Sequence, residues 1–313
     1  MTRFLVRRIA VSAPLLVMVS FLTFVLVSLT PGDAAYTVLG AGATSEQLAQ
    51  LRDQMGLDRP LLSQYTTWLG HALSGDFGAS LISGQPVGHA IGQQLASTLS
   101  LVLLSVLVST FFGVMIGAWS AARGGRLARL VDSLSFAALA VPGFLLGLLL
   151  ILVFVLAVPV LPASGYVPLL ESPSGWLRSL VLPVAALSFG GIGIIAKQSR
   201  AAMEDVLGSE FVVVLRANGF RRGSIIYRHG LKAAAVRIQS VVGVMFVGLL
   251  SGSVLIESIF ALPGLGSLAV QASAQGDLPL ILGVTVVFTL LVVAANLILD
   301  NLFLLVNPKV VHR

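Results

Sequence analysis

The sequence predicts an all-α integral membrane protein with six transmembrane helices, for three reasons. Of its 313 residues, 57% are hydrophobic and only 10% are charged, and the mean hydropathy is +0.98, far from the average of soluble domains. Long apolar runs recur along the chain at the length of about 20 residues that a helix needs to cross a bilayer. The lysines and arginines are concentrated between these runs. Because the spans take up most of the chain, we predict a single transmembrane domain over residues 1–313.

The apolar runs define the six predicted spans. The first run follows Arg3, Arg7 and Arg8, which is also typical of a secretion signal. The apolar core of a signal is usually about 7 to 15 residues long, whereas this run has about 20, so we interpret it as a retained span that tolerates Pro14. The predicted spans lie at about 9–29, 97–121, 134–158, 180–196, 238–260 and 280–306.

The basic residues predict the orientation of these spans. Cytoplasmic loops of membrane proteins carry an excess of Lys and Arg. Sixteen of the nineteen basic residues fall in the two termini, in the short loop 122–133 and in the long loop 197–237. We therefore predict a multi-pass plasma-membrane protein with both termini and these two loops in the cytoplasm. The loop 30–96, whose only bases are Arg52 and Arg59, is predicted to be extracytoplasmic.

This extracytoplasmic loop is predicted to contain helices of its own. Thr44 and Gln47 have the spacing of a capping box at the start of a helix, and Gly56 is expected to end that helix. A second amphipathic helix is predicted at about 61–73. The triplet Asp76-Phe77-Gly78 also occurs in protein kinases, but no Gly-rich loop or catalytic loop accompanies it. We interpret this match as chance.

The loop 197–237 is a polar island that carries eight basic residues against three acids. Its apolar patch at 211–215 cannot be extended into a span, because each flanking arginine would cost about 2.5 to 3.5 kcal/mol near a helix centre. Gly219 predicts a break between two short helices, at 204–218 and 223–231. The predicted apolar stripes consist of Phe211 and Leu215 in the first helix and Ile226, Tyr227 and Leu231 in the second. Either the membrane ends of the same chain or a separate protein must cover them.

Motifs for catalysis are missing from the sequence. None of the three lysines follows a glycine, so there is no Walker A phosphate loop, and zinc-protease and serine-hydrolase motifs are also absent. The four histidines are not paired at metal-ligand spacing, and the absence of cysteine excludes disulfides and thiolate chemistry. Since the bases lie beside apolar runs, they indicate membrane orientation rather than nucleic-acid binding. We predict no enzyme activity, no metal site and the lipid bilayer as surroundings.

Glu257 is the acid deepest in the apolar part of the fifth span, about one turn before the segment Phe260-Ala261-Leu262-Pro263-Gly264. Acids inside membranes mark either a transport pathway or a paired structural contact. Two interpretations therefore stay open for Glu257: a hydrogen bond that stabilises the structure or a gate, and direct contact with cargo. Asp300, near the inner end of the last span, is expected to pair with a cytoplasmic arginine.

Ordered segments of the chain resemble the permease subunits of bacterial ABC importers, in the dipeptide, oligopeptide and nickel family. In the polar island, Arg216-Ala217-Asn218-Gly219-Phe220 and Arg228-His229 look like the peptide subgroup's form of this loop. The general permease signature is only partly met, because Val213-Val214-Leu215 replaces its acidic start and His229-Gly230-Leu231-Lys232 its end. Further matching segments are Arg7-Arg8, Pro31-Gly32-Asp33, Leu57-Asp58-Arg59-Pro60, Gly75-Asp76-Phe77-Gly78, Leu161-Pro162-Ala163-Ser164-Gly165, Phe260-Ala261-Leu262-Pro263-Gly264-Leu265-Gly266 and Asn307-Pro308-Lys309.

The resemblance implies a type I ABC importer permease fold in the bacterial plasma (inner) membrane. It implies a homologous second permease subunit, an extracytoplasmic solute-binding protein, and two cytoplasmic ATPase subunits that bind ATP and Mg²⁺, so that this chain itself needs no cofactor. The loop 197–237 would couple to an ATPase subunit, with Glu210 in place of the usual acid. The residues expected to act in coupling are Glu210, Phe211, Leu215, Arg216, Ala217, Gly219, Arg228 and His229. The residues expected in the pathway or gate are Glu257, Pro263 and Gly264.

Two other functions are compatible with the composition. A self-sufficient secondary transporter usually has several intramembrane ionisable groups and often internal repeats, but Glu257 is nearly alone and no repeat is evident. The second of these functions is that of a membrane scaffold that transports nothing. The cargo stays open among peptides, nickel chelates, glutathione and heme-like solutes.

Overall fold

The computed structural model describes residues 2–29, 34–40, 42–54 and 56–306, and helices dominate these residues. They contain no β-strand, only an isolated antiparallel bridge between Ala79 and Pro86. The helices in chain order are α1 (Thr2–Leu29), α2 (Ala34–Leu39), α3 (Ser45–Gln54), α4 (Leu61–Leu73), α5 (Val87–Arg123), α6 (Gly125–Ala140), α7 (Gly143–Ile151), a π-helix (Leu152–Ala157), α8 (Pro173–Leu207), α9 (Glu210–Ala217), α10 (Arg222–Ser224), a second π-helix (Ile225–Gly230), α11 (Leu231–Ile259), α12 (Leu265–Gln275) and α13 (Leu278–Val306). The motif segments Pro31-Gly32-Asp33 and Asn307-Pro308-Lys309 lie outside the described residues.

The predicted all-α membrane fold is confirmed, with one span that differs from the prediction. Within the described ranges, five helical stretches are long and apolar enough to cross a membrane. They are Ser12–Leu29, Val87–Arg123, Pro173–Leu207, Arg222–Ile259 and Leu278–Leu299. A sixth candidate is a pair of helices, Ala128–Ala140 and Gly143–Ala157, bent by 87° relative to each other.

The bend corrects the prediction of one continuous helix over 134–158. Val141 ends α6 in an extended conformation, with φ −88° and ψ 114°, and Pro142 follows it. Proline has no N–H to donate to the preceding turn, and its ring disfavours helical geometry in the residue before it. The apolar composition continues across this dipeptide, so hydropathy alone did not reveal the break.

Helix ends extend past the predicted spans where polar residues continue the helix. The helix α8 begins at Pro173 and ends at Leu207, well outside the predicted 180–196. At its start, the hydroxyl of Ser172 accepts the backbone N–H of Gly175 at 3.1 Å, and Pro173 occupies a first-turn position where no N–H is needed. Hydropathy locates the apolar part of a helix, whereas capping residues determine where the helix ends.

One compact unit is formed by the described residues of 1–96 and 263–294. The predicted capping box is present, because Thr44 and Gln47 each accept the other's backbone N–H, at 3.3 and 3.0 Å. The predicted second amphipathic helix is α4. Its Tyr65 is buried and shares a 2.9 Å hydrogen bond with Ser20 of α1. Aromatic packing against Phe24 adds to this contact and secures α4 on the first span.

Asp277 organises the same unit from the start of α13. It is only 1% exposed, and its carboxylate accepts the hydroxyl of Ser80 at 2.5 Å and the backbone N–H of Leu81 at 3.3 Å. The same carboxylate accepts the N–H of Leu280 in the first turn of α13, at 3.4 Å. Asp277 therefore caps the last helix and holds the turn that contains Ser80.

The second compact unit contains the described residues of 97–262 and 295–313. Fully buried apolar side chains form its core. The largest of them are Leu101, Leu180, Ile195, Met203, Ile256, Phe260 and Leu262. The helices α5 and α8 approach closely at Gly117, where an added Cβ would lie only 2.5 Å from the carbonyl oxygen of Ala196. Small residues permit such approach between apolar helices.

Candidate functional site

The polar island is built around a helical turn that we call the basic hairpin, residues 208–230. Its helix α9 is held in place by Val212, which is fully buried. In the predicted stripe of Phe211 and Leu215, the described residues leave Phe211 48% exposed and Leu215 half-buried. In the run of three consecutive valines, periodicity could not identify Val212 as the anchor. The face that a two-turn helix buries is decided by the surface against which it packs.

Much of the apolar surface of the hairpin is uncovered by the described residues. Val213 and Val214 are 62% and 58% exposed, and Phe220 and Tyr227 are also exposed. Glu210 lies exposed in the first turn of α9, where a negative charge interacts favourably with the helix N-terminus. Ala217 ends the helix and is exposed as well.

Gly219 makes the turn that the sequence predicts at this position. Its φ of +76° is in the left-handed region, and nothing lies within 4 Å of the position that a Cβ would occupy. The backbone N–H of Gly219 donates to the carbonyl of Arg216 at 3.0 Å, and that of Phe220 donates to Leu215 at 3.1 Å. These two bonds form a Schellman motif, in which the left-handed residue is usually glycine. The sharp reversal of the chain therefore depends on Gly219.

The second half of the hairpin differs from the predicted short α-helix at 223–231. Residues Ile225–Gly230 form a π-helix, with bonds from residue i+5 to residue i, and they continue directly into α11. Ile225 and Ile226 are buried, whereas Tyr227, the neighbouring member of the predicted stripe, is exposed. The prediction of this stripe assumes the 3.6-residue period of an α-helix, and a π-helix does not have that period.

His229 joins the two halves of the hairpin. Its ring packs edge-on against Phe220, with 5.2 Å between the ring centroids. Its Nδ1 lies 3.1 Å from the carbonyl oxygen of Ser224. Because a carbonyl can only accept, Nδ1 carries the proton in this contact. The neighbouring Arg228 is exposed.

Some of the basic residues of the island are bound within the chain. Arg200 pairs with Asp132 and Glu204, and it also donates to the carbonyl of Ala128 at 3.2 Å. Arg200 thus ties the C-terminal part of α8 to α6. Asp132 and Arg200 are 68 positions apart in the chain, so no local sequence pattern predicts this contact.

Two further arginines also have internal partners. Arg222 donates to the carbonyl of Ala122 at 2.6 Å, near the end of α5, and Arg237 pairs with Asp205. The other bases of the hairpin region are exposed and form no ion pair among the described residues. They are Arg216, Arg221, Arg228 and Lys232. The hairpin region therefore presents both apolar side chains and unpaired positive charges.

Glu257 lies near the C-terminal end of α11 and is completely buried. Its Oε1 accepts the hydroxyl of Thr98 at 2.7 Å. The helix ends at a second Schellman bond, in which the N–H of Leu262 donates to the carbonyl of Glu257 at 2.9 Å. The left-handed position of this cap is occupied by Ala261, with φ +45°. Of the two interpretations of Glu257, this geometry favours the structural hydrogen bond.

The other two predicted gate residues lie at the start of α12. Pro263 is exposed. The backbone N–H of Gly264 donates to the hydroxyl of Ser267 at 3.1 Å, and its carbonyl accepts the N–H of Leu268 at 3.0 Å. These contacts make Gly264 the N-cap of α12.

A groove of about 890 Å³, which no sequence pattern predicted, runs along α7, α8 and α11. Glycines form much of its wall, and its polar side chains are those of Gln198 and Ser240. Ile256 lines the groove, whereas Glu257 does not. No charged side chain of the described residues lines it. The glycines of these helices thus line a concave surface, in addition to permitting close helix packing.

Two family descriptions match the chain. Residues 113–312 match the binding-protein-dependent transport system inner membrane component, and residues 1–102 match the N-terminal region of such membrane components. The chain is 37% identical over 311 residues to a putative peptide transport system permease protein of Brucella abortus (strain 2308), with 99% of each chain covered. It is 32% identical over 314 residues to the oligopeptide transport system permease protein AppB of Bacillus subtilis (strain 168), again with 99% of each covered.

A solved structure shares the fold. A chain of the inward-facing MetNI methionine ABC transporter matches 69% of this chain and 96% of its own length, with a TM-score of 0.54 at 16% identity. The family resemblance predicted from the sequence is confirmed by the full-length relatives. The chain belongs to the family of binding-protein-dependent transport system inner membrane components.

Proposed function

We propose that this chain is one permease subunit of an ATP-driven importer that moves peptides or a related small solute across the bacterial inner membrane. The similarity over 99% of the chain to permease proteins of peptide transport systems carries this proposal. Such an importer would contain a homologous second permease subunit, two ATPase subunits and an extracytoplasmic solute-binding protein. ATP and Mg²⁺ would be bound by the ATPase subunits.

The basic hairpin is the proposed docking site for an ATPase subunit. Its exposed side chains Val213, Val214 and Phe220 need a partner with an apolar groove, and its unpaired arginines favour carboxylates at the rim of that groove. Glu210 stands at the start of α9 and takes the place of the usual acid of the loop. This role requires the hairpin to lie in the cytoplasm.

Motion of the hairpin would reach the membrane through continuous helix. From Arg222 to Ile259 the chain is helical without a break, so a displacement of the hairpin moves α11 with it. The groove of α7, α8 and α11 is the proposed wall of the cargo pathway. Rigid-body movement of α11 would then change the shape of that wall. The secondary-transporter alternative gains no support from these observations.

The docking site can be tested by cross-linking, because the chain has no cysteine and a single introduced thiol is unique. The variant Val213→Cys in the assembled importer should cross-link to the ATPase subunit. A matched control is Val244→Cys, which changes a side chain that is 78% exposed in the middle of α11 and should give no such product. If a maleimide that cannot cross the membrane labelled the Val213→Cys variant in intact cells, the cytoplasmic position would be contradicted.

Transport itself is tested by uptake in reconstituted vesicles. We expect accumulation of a labelled peptide only when this chain, its partner subunits, the binding protein and ATP are all present. Uptake by the purified chain alone along an ion gradient would overturn the proposal in favour of a secondary transporter.

A further inference from the structure

Two motif segments of the first compact unit meet at one cavity. The segment 57–60 contributes Leu57 and Arg59 to the lining of this cavity, and the segment 75–78 contributes Asp76 and Gly78. The volume of the cavity is about 460 Å³. The cavity lies within the unit of residues 1–96 and 263–294. We infer that this cavity binds a small zwitterionic solute with an apolar body, such as a short peptide with free ends. Arg59 would bind the carboxylate and Asp76 the ammonium group.

The floor of the cavity suits an apolar body. Phe24 and Leu282 are 2% and 1% exposed and lie in the buried cluster of this unit. Trp68, Leu278 and Pro279 add further apolar wall. Pockets of roughly 300 to 1,000 Å³ with apolar walls and a few polar groups are typical of small-molecule sites.

The positive group of the cavity is held on a braced turn. The side-chain amide of Gln64 donates to the carbonyls of Leu57 and Arg59, at 3.0 and 2.8 Å, and fixes the backbone of this turn. The Arg59 side chain lies against Gly56, where an added Cβ would be 3.5 Å from Nε. Arg59 forms no ion pair among the described residues. Its guanidinium can therefore bind a carboxylate with two parallel hydrogen bonds.

The negative group is also held in place. Oδ1 of Asp76 accepts the backbone N–H of Gly78 at 2.9 Å, which fixes the direction of the carboxylate. Oδ2 lies 3.9 Å from Nδ1 of His71, and both side chains are about two-thirds exposed. Oδ2 thus has room to accept a further hydrogen bond from an ammonium group.

Opposite charges on one cavity select against ligands with a single charge. An anion would be attracted by Arg59 and repelled by Asp76. A cation would be attracted by Asp76 and repelled by Arg59. A solute with one group of each sign satisfies both residues while its apolar part covers the floor. The inference rests on the proposed function only for the choice of a peptide as probe.

The test measures binding to the full-length chain in nanodiscs, without ATPase subunits, by equilibrium dialysis. Three tritiated probes are compared: Ala-Phe-Ala with free ends, its C-terminal amide and its N-acetyl form. We expect each blocked probe to bind the unaltered chain about tenfold more weakly or worse, because each blocked end loses a hydrogen bond to a charged group. Equal binding of the free and blocked peptides would overturn the inference, as would no binding of any probe.

Paired variants assign each charge to its residue. Arg59→Gln should weaken binding of the free peptide about tenfold, and amidation should then cause no further loss. Asp76→Asn keeps the acceptor for the N–H of Gly78. It should also weaken binding of the free peptide about tenfold, and N-acetylation should then cause no further loss. The controls Arg52→Gln and Asp58→Asn change exposed residues that do not line the cavity and should bind as the unaltered chain does. Full sensitivity to amidation in Arg59→Gln would contradict the assignment.

The two proposals can fail separately. If the chain binds the free peptide selectively but the complete importer transports no peptide, the proposed function fails and the cavity assignment stands. If the importer transports peptide but the purified chain does not distinguish free from blocked ends, the cavity assignment fails alone.

Discussion

The hydroxyl of Thr98 donates a 2.7 Å hydrogen bond to the fully buried carboxylate of Glu257. These residues are 159 positions apart and join α5 to the C-terminal end of α11. A buried carboxylate is stabilised only when its oxygens are hydrogen-bonded. The contact therefore fixes the position of α11 at the end farthest along the helix from the basic hairpin.

Replacing Glu257 separates a structural role from a cargo-binding role. We expect Glu257→Ala to lower the free energy of unfolding by about 1 to 3 kcal/mol, because it removes an acceptor of Thr98 and leaves a gap. Glu257→Gln keeps an acceptor at the same place and should lose less than half as much. Thermal unfolding in detergent measures both changes. If Glu257→Ala kept full stability while the KM for uptake rose, direct cargo contact would be the better explanation.

Gly117 is required for the close approach of α5 and α8. In Gly117→Ala the new Cβ would lie 2.5 Å from the carbonyl oxygen of Ala196 and 2.7 Å from Cβ of Ser199. Overpacking of this kind costs about 1 to 3 kcal/mol, so we expect a lower melting temperature. Gly92→Ala in the same helix has open space around its Cβ and should be neutral or stabilising. Equal melting temperatures for the two variants would argue against a tight α5–α8 contact.

Ala261 occupies a left-handed position that normally belongs to glycine. Ala261→Gly should stabilise the chain by about 1 kcal/mol, because the left-handed conformation strains any residue with a Cβ. Ala233→Gly should instead destabilise the chain, because Ala233 is exposed within α11, where glycine costs about 1 kcal/mol relative to alanine. Denaturation of the two variants in the same detergent gives the comparison. A loss of stability in Ala261→Gly would contradict the role of this cap.

Gly219 is predicted to matter for coupling rather than for insertion. Proline holds φ near −65° and has no N–H, so Gly219→Pro is incompatible with the φ of +76° and removes the bond to Arg216. We expect the variant to insert normally while ATP hydrolysis by the complex no longer drives peptide uptake.

The measurement for Gly219 compares uptake and hydrolysis in the same vesicles. Gly223→Ala serves as the control, because Gly223 has open space around its Cβ and no left-handed φ. Normal uptake by the Gly219→Pro variant would show that the turn at Gly219 is not required for coupling.

Some features of the fold and of the candidate site could be predicted from the sequence because they depend on local chemistry. The turn at Gly219 and the capping box of Thr44 and Gln47 involve residues a few positions apart. Val212 and the pair of Arg200 with Asp132 could not be found in that way. A burial pattern in a two-turn helix and a contact between distant segments both depend on the packing partner.

The sequence by itself determined that the chain is a helical membrane protein of this family, because hydropathy, charge placement and short motifs act locally along the chain. Only the tertiary structure decided where the third span bends, which valine anchors α9, and that Arg59 and Asp76 line one cavity. The physical reason is that burial and juxtaposition are properties of packed surfaces, and segments far apart in sequence supply the two sides of each surface.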